Sequence, residues 1–253
     1  MNISGNTIFI PGATSGIGLA LAQRFQAKGN VVVIGGRRKA LLDELRAEYG
    51  FGTVEIDITD PQSIGTATAD VIARYPDLNV LVAMAGIMRA EDWTRPGFLA
   101  DSEQTVITNL LGPIRLIAAL TEHLRGRPNA TVITVSSGLA HAPLRVTPTY
   151  NASKAAVHML SESIRLQLEP AGVQVIELVP PSVRTALMPG HETAENGMPL
   201  DEYADETFAL LDSEPDAHEV LVDRVKFLRY GEVRGDYPQV IAALNAADPH
   251  AHS

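Results

Sequence analysis

The chain has 253 residues, 45% of them hydrophobic, with a formal net charge of −10 and no cysteine. That length allows one large α/β domain with a substantial core, and no composition break, repeat or low-complexity tract divides it. The acidic balance argues against nucleic acid or an anionic membrane surface as partner, and the lack of thiols excludes disulfides and cysteine metal sites. The seven histidines include no H-E-x-x-H pair, and His250 and His252 sit in a polar tail, so no metal is expected. Neither a charged, apolar leader nor a run of about eighteen apolar residues occurs, which predicts a cytoplasmic protein with no membrane partner.

Thr7-Ile8-Phe9-Ile10 opens the pattern as a short apolar strand, followed by Pro11-Gly12-Ala13-Thr14-Ser15-Gly16-Ile17-Gly18. Apolar residues then recur at Ile17, Ala20, Leu21 and Phe25, which is helical spacing. Strand, glycine-rich turn and helix in this order suit a phosphate. Glycines let the backbone approach a pyrophosphate, and the N–H groups of the helix start stabilise its charge. The spacing Gly12, Gly16, Gly18 is not the G-x-G-x-x-G fingerprint, so the flanking strand and amphipathic helix carry the reading.

A second buried strand, Val31-Val32-Val33-Ile34-Gly35-Gly36, leads into Arg37 and Arg38. An acidic residue about twenty positions past the glycines would hold the ribose 2′-hydroxyl of NAD(H), but two guanidiniums stand there instead. Arg pairs with phosphate bidentately, and cations at a helix amino terminus oppose the macrodipole and need a reason. NADP(H) is therefore the expected cofactor.

Strands are expected over 7–10, 31–35, 53–56, 80–83, 130–135 and 174–179, with helical patterns between them. Thr59-Asp60-Pro61 puts a capping residue before a proline at a first helical position, Gly29 ends the first helix, and Gly172 ends the one carrying Tyr150. Such alternation implies a parallel sheet with helices on both faces: a doubly wound, Rossmann-like α/β fold of three layers, in a single domain over 1–253. Ligands then bind beyond the carboxyl ends of the strands, where the motifs fall.

Pro113 lies inside the apolar segment around Asn109, and it lacks the N–H that would bond the Asn109 carbonyl. Either that carbonyl is freed for a purpose, or Gly112-Pro113 only kinks a buried helix. Ser136 and Ser137 close the fifth strand. Tyr150 and Lys154, four apart, share one helix face. A phenol titrates near pH ~10, and a fixed cation beside it should favour the phenolate and suit it to general acid/base work. Alone, the pair would prove little.

Together these motifs resemble the short-chain dehydrogenase/reductase family, over roughly residues 5–190. The resemblance implies the strand order 3-2-1-4-5-6. It places the family's catalytic Ser, Tyr and Lys on Ser137, Tyr150 and Lys154, and its helix Asn on Asn109, whose carbonyl would hold a water that relays protons to the lysine. Ser137 would orient a substrate carbonyl, Tyr150 would donate the proton, and Lys154 would tune Tyr150 and bond the nicotinamide ribose. For the cofactor it implies Gly12, Thr14, Ser15, Gly16, Ile17 and Gly18 in the first turn and Asp57 with Ile58 at the adenine. Ala85 and Gly86 would lie at the ribose, and Pro180, Val183 and Thr185 at the nicotinamide. Residues 1–25 and Ile87-Met88-Arg89-Ala90-Glu91-Asp92 further resemble a branch named for teichoic-acid D-alanylation.

Two departures from the family concern the cofactor floor: Pro11 stands where Thr is usual, and Ala83-Met84-Ala85-Gly86 where Asn-Asn-Ala-Gly is usual. Losing both polar ends of one tie leaves no orphaned group, so a repacked floor is expected. The family's seventh strand is not recognised. The patterns read as helix over 201–212 and 218–228, turn over 231–235 and helix over 238–246. A substrate lid is expected over 186–200, with Met188, Pro189, Met198 and Pro199 lining it and Met88, Trp93, Leu139, His141 and Leu144 facing it.

The expected activity is an NADPH-dependent oxidoreductase, a carbonyl or ketone reductase reversible as an alcohol dehydrogenase, acting on a small-molecule carbonyl or secondary alcohol. The alternatives are a non-catalytic NADP(H)-sensing binding protein and a structural partner in a cell-envelope pathway. The segments 106–120 and 150–168 are apolar almost all round. That implies a second buried contact. It is either a homodimer through a four-helix bundle, as in the family, or residues 201–246 folded back over them; a tetramer is possible.

Overall fold

Parallel strands covered on both faces need apolar residues on both, and the strand runs here meet that requirement. The computed structural model describes residues 1–246, so His250 and His252 lie outside the described residues. β1 (Thr7–Pro11), β2 (Val31–Gly36), β3 (Gly52–Glu55), β4 (Leu78–Ala83), β5 (Ala130–Val135), β6 (Val173–Leu178) and β7 (Glu219–Val220) form one sheet. Its order is β3-β2-β1-β4-β5-β6-β7, and every pairing is parallel. β1 lies between β2 and β4, so the chain changes direction there and a crevice opens at the strands' carboxyl ends.

Strand alternation divides the core. Ile8 and Ile10 face α1 (Gly16–Ala27) and α2 (Lys39–Tyr49), in a cluster with Leu21, Phe25 and Leu42. Phe9 faces the opposite way, toward Ile64 of α3 (Pro61–Arg74) and Leu116 and Leu120 of α5 (Gly112–Arg125). Asp60 caps α3 by accepting from the Gln62 N–H at 2.9 Å, with Pro61 at the first helical position. Between α4 (Leu99–Val106) and α5, residues Ile107–Leu111 form a π-helical segment, and the Gly112 N–H donates to the Ile107 carbonyl. The extra residue per turn absorbs Pro113 without breaking the rod.

The carboxyl-terminal part differs from expectation. A seventh strand is present, because β7 extends the sheet beside β6. Residues 218–228 are not one helix but β7, a 3₁₀ turn (Asp223–Val225) and α8 (Lys226–Arg229). Residues 231–235 hold a short helix, α9 (Gly231–Arg234), closed by Gly235 at φ 79°. α7 (Leu200–Ser213) packs along α1, with Phe208 edge-on to Phe25 at 4.6 Å and Arg24 paired with Asp201 and Asp205. α10 (Tyr237–Ala246) docks by Asn245, which accepts from the Arg145 N–H at 2.7 Å and donates to the Pro143 carbonyl at 3.1 Å. None of these helices covers the outer faces of α4, of α5 and of α6 (Pro148–Leu168). Val106, Ile114, Met159 and Leu166 remain 37%, 38%, 62% and 79% exposed.

Candidate functional site

A cleft of about 970 Å³ opens at the switch point, and of the residues expected to hold the cofactor or carry the catalysis all but one line it. Its first wall is the turn after β1. Gly12 takes φ 89°, and a Cβ there would lie 2.7 Å from the Ala85 Cβ, so only glycine lets this turn reach the end of β4. A Cβ on Gly18 would lie 2.8 Å from the Ala13 Cα and 3.0 Å from the Met84 sulfur. Met84 thus fills the floor that the family ties with polar groups, as the paired loss of Thr and Asn predicts. Ser15 precedes α1 without a side-chain cap, and the first turn of α1 holds no acid. The N–H groups there suit an anion, and the close-fitting glycines form the cradle a pyrophosphate needs.

Arg37 and Arg38 form the outer corner, both exposed on the cleft wall. Arg38 Nη2 donates to the Thr14 hydroxyl at 3.2 Å, so one guanidinium is already turned toward the glycine turn. Asp57 accepts from the Thr59 N–H at 2.9 Å and from its hydroxyl at 2.7 Å. Burial opposes ionisation of that carboxyl, but the two Thr59 bonds and the charge of Arg37 outweigh it and hold the group below the usual value. Asp57 is therefore an acceptor at any physiological pH. Ile58, Ala85, Gly86, Pro180, Val183 and Thr185 complete the floor and the far wall.

α6 carries the second wall. Tyr150 is buried against Met88, Leu144 and Met188, and the Ser137 hydroxyl is close enough to hydrogen-bond its phenol. Lys154 Nζ donates to the Val135 carbonyl at 2.8 Å and stands 5.6 Å from the Tyr150 ring centroid, over its face. This corrects the expected tuning. Burial pushes the phenol up to about 12 with only Ser137 pulling it back, so it holds its proton at neutrality. Burial also lowers Lys154 to about 8, against the opposing charge of Glu177.

Asn109 is the exception: it lies behind the wall, not on it. Its amide donates to the Ile87 carbonyl at 2.9 Å and to the Ser153 hydroxyl at 3.2 Å, and accepts from the Ile87 N–H at 2.8 Å. A Cβ on Gly86 would sit 3.2 Å from Asn109 Oδ1 and 3.8 Å from Lys154 Nζ. The asparagine side chain thus pins the chain leaving β4, and Pro113 offers its backbone carbonyl no N–H.

The lid residues also need correction. Met198 is fully buried in a cluster with Val183 and Tyr203, and Met188 packs behind Tyr150, so neither lines the cleft, nor do Pro189 and Pro199. Ala186, Leu187, His191, Ala194 and Asn196 line it instead. Trp93 stacks on Phe98 at 4.6 Å and is absent from the wall, as is His141, which burial first and the charges of Arg229 and His158 next push down to about 4. Met88, Leu139 and Leu144 do line the cleft. Arg89, Asp101, Gln104, Leu228 and Leu244 join them, and only the tertiary fold reveals these.

A glycine cradle and a buried, protonated tyrosine opening into one switch-point cleft meet the requirements of a Rossmann-type oxidoreductase. A family model described as short chain dehydrogenase matches residues 6–196. The chain belongs to that family. It is 34% identical over 255 residues to a Bacillus subtilis (strain 168) protein named "Uncharacterized oxidoreductase DltE", covering 98% of this chain and 100% of that one. It is 36% identical over 176 residues to a serine 3-dehydrogenase of Rhizobium radiobacter, covering 69% of this chain and 70% of the relative. Among solved structures, a Burkholderia cenocepacia J2315 short chain dehydrogenase in complex with NADP superposes with TM-score 0.82 at 24% identity, covering 96% of this chain and 99% of that one.

The lowered lysine gives a stability signature. Below pH ~8 both folded and unfolded chains hold the Lys154 proton, and burial costs the fold its full penalty. Between about 8 and the ordinary lysine value of 10.5 the unfolded chain binds more protons, so stability rises with pH. Wild type should therefore gain about 2 kcal/mol relative to Lys154→Met between pH 8 and pH 10 in urea denaturation. A flat or falling difference would mean that the ammonium is well solvated.

Proposed function

We propose that this protein is an NADPH-dependent reductase of ketones or aldehydes, working in reverse as an alcohol dehydrogenase. The observation that carries this reading is the placement of Tyr150 beside Ser137 and Lys154 on the wall of the cleft that the glycine turn enters. NADPH, when bound, supplies the hydride. Gly12, Gly16 and Gly18 leave room for its pyrophosphate, Arg37 and Arg38 face a 2′-phosphate, and Asp57 accepts from the adenine.

Tyr150 acts as general acid in reduction. Its elevated pKa keeps the proton on the phenol until an oxygen gaining negative charge is within reach. Ser137 directs that oxygen toward the phenol, and Lys154, on the same wall, faces the nicotinamide ribose. The apolar residues around Tyr150, namely Met88 and Leu144, favour a carbonyl flanked by apolar groups. A sensor that binds NADP(H) without turnover would need the first wall of the cleft and not the second.

Neighbouring structures support either cofactor as far as the fold is concerned. The Burkholderia dehydrogenase was solved with NADP, and a Brucella melitensis 3-ketoacyl-(acyl-carrier-protein) reductase with NADH. The two exposed arginines, standing directly after β2 where NAD(H) would call for an acid, favour NADPH here. For assembly, we propose a homodimer in which α4, α5 and α6 meet their copies across a two-fold axis. The exposed Val106, Ile114, Met159 and Leu166 support it, since an isolated chain would leave them in water.

Tyr150→Phe should lower ketone reduction with NADPH by ~10²–10⁴-fold and leave cofactor affinity nearly unchanged. Retention of more than about a third of the rate would remove the tyrosine from the mechanism, and a wild type inert toward a panel of prochiral ketones would favour the sensor. Arg37→Ala should reduce the NADPH-over-NADH preference by ~10–100-fold, because a charged bond to phosphate is worth roughly 1.5–3 kcal/mol. Equal use of NADH by wild type would make Arg37 and Arg38 ordinary surface charges. Light scattering with size exclusion at micromolar concentration should give a dimer or a tetramer; a monomer would refute the bundle.

A further inference from the structure

Behind the second wall, and outside the cleft, four potential ligands converge from four separate elements. His141 follows the 3₁₀ turn (Gly138–Ala140) after Ser137, and His158 lies one helical turn beyond Lys154 on α6. Glu177 comes from β6 and Glu219 from β7. One donor atom from each of the four lies within 4.8 Å of the others. None of the four lines the cleft.

A network of ion pairs explains only part of this cluster. His158 Nδ1 meets Glu177 Oε2 at 2.8 Å, and Arg229 grips Glu219 with Nε at 2.8 Å and Nη2 at 3.0 Å. Two buried donor or acceptor atoms have no hydrogen-bond partner: Glu177 Oε1, on a side chain with no exposure at all, and His141 Nε2. The two histidine rings stand edge to face at 4.6 Å. Polar atoms buried to this degree are normally satisfied, and two orphans in one cluster mark the place of a further group. An anion is unwelcome beside two carboxylates. Arg229 already meets Glu219, and a cation suits the donors left over, Glu177 and the two imidazoles.

We propose that His141, His158, Glu177 and Glu219 bind a divalent transition metal of the zinc type, as a structural tie behind the tyrosine wall. Two imidazoles and two carboxylates are a donor set that zinc accepts in tetrahedral geometry. Bonds of ~2.0–2.2 Å place such donors roughly 3.3 Å apart, so no pair within 4.8 Å has to close by more than roughly 1.5 Å. His158 and Glu219 are part-exposed, at 19% and 17%, and their side chains would have to supply that movement. Binding displaces the proton shared between His158 and Glu177 to solvent, with no change in oxidation state. Arg229 then acts as the outer partner that orients the Glu219 carboxylate. The ion would link β6, β7, α6 and the turn after Ser137.

The test needs neither substrate nor cofactor, so it stands or falls apart from the proposed reductase activity. Full-length protein is stripped with chelator, dialysed against Zn²⁺, freed of loosely held metal and assayed by elemental analysis and thermal unfolding. Wild type should retain one zinc per chain and unfold at higher temperature than the stripped form. His141→Ala and Glu177→Gln should each weaken retention by at least about tenfold, and His250→Ala/His252→Ala should not. Failure of wild type to retain zinc overturns the site, and that result stands even if a variant does not fold. Retention that survives both cluster variants, or that disappears with the tail histidines, overturns it equally.

Discussion

The inward face of α6 is polar, and the way its polar groups are satisfied governs where the chemistry can sit. Lys154 donates a hydrogen bond to the Val135 carbonyl at the end of β5. Ser161 and Thr134 share a bond of 2.6 Å between helix and strand, and Arg165 donates to the Val175 and His218 carbonyls at 3.1 Å each. Apolar contacts alone would allow a helix to slide or roll on a sheet with little change in energy. Bonds to fixed strand positions do not, because a displaced α6 would leave a buried ammonium, a guanidinium and hydroxyls unpaired. Tyr150 inherits that fixed register, and so does the second wall of the cleft.

The opposite wall obeys a steric constraint. The β1 turn reaches the end of β4 because Gly12 has no Cβ, and α1 presses on the turn because Gly18 has none. In the family as resembled, a polar tie holds this corner. Here Pro11 and Met84 take those places, and Met84 joins the core beside Ile8 and Ile10. Close packing and hydrogen bonding are thus interchangeable as means of holding a floor, provided that both ends change together.

Much of this was legible in the sequence. Six strands form long apolar runs between clear punctuation, and the glycine turn, Ser137, Tyr150 and Lys154 sit at strand ends or on one helix face. What escaped notice did so for physical reasons. β7 is only two residues long, too short to show any period, and its strand character comes from pairing with β6. Met188 and Met198 sit in a segment of cleft-lining type, yet the fold turns both side chains inward. Adjacency on a helix placed Lys154 beside Tyr150 correctly, but it could not show that the ammonium lies over the ring while burial governs the phenol. His141, His158, Glu177 and Glu219 share no local spacing, since each comes from a different element.

The brevity of β7 has a consequence for how molecules of this protein behave in a crowd. An open sheet ends in a row of backbone donors and acceptors that can recruit a strand from another molecule, the first step of edge-to-edge aggregation. At β7 the row is two residues long, and the chain then turns away into a 3₁₀ segment. Glu219, paired with Arg229, sets a charged group on that edge. A foreign strand laid along β7 would find too few partners to hold it.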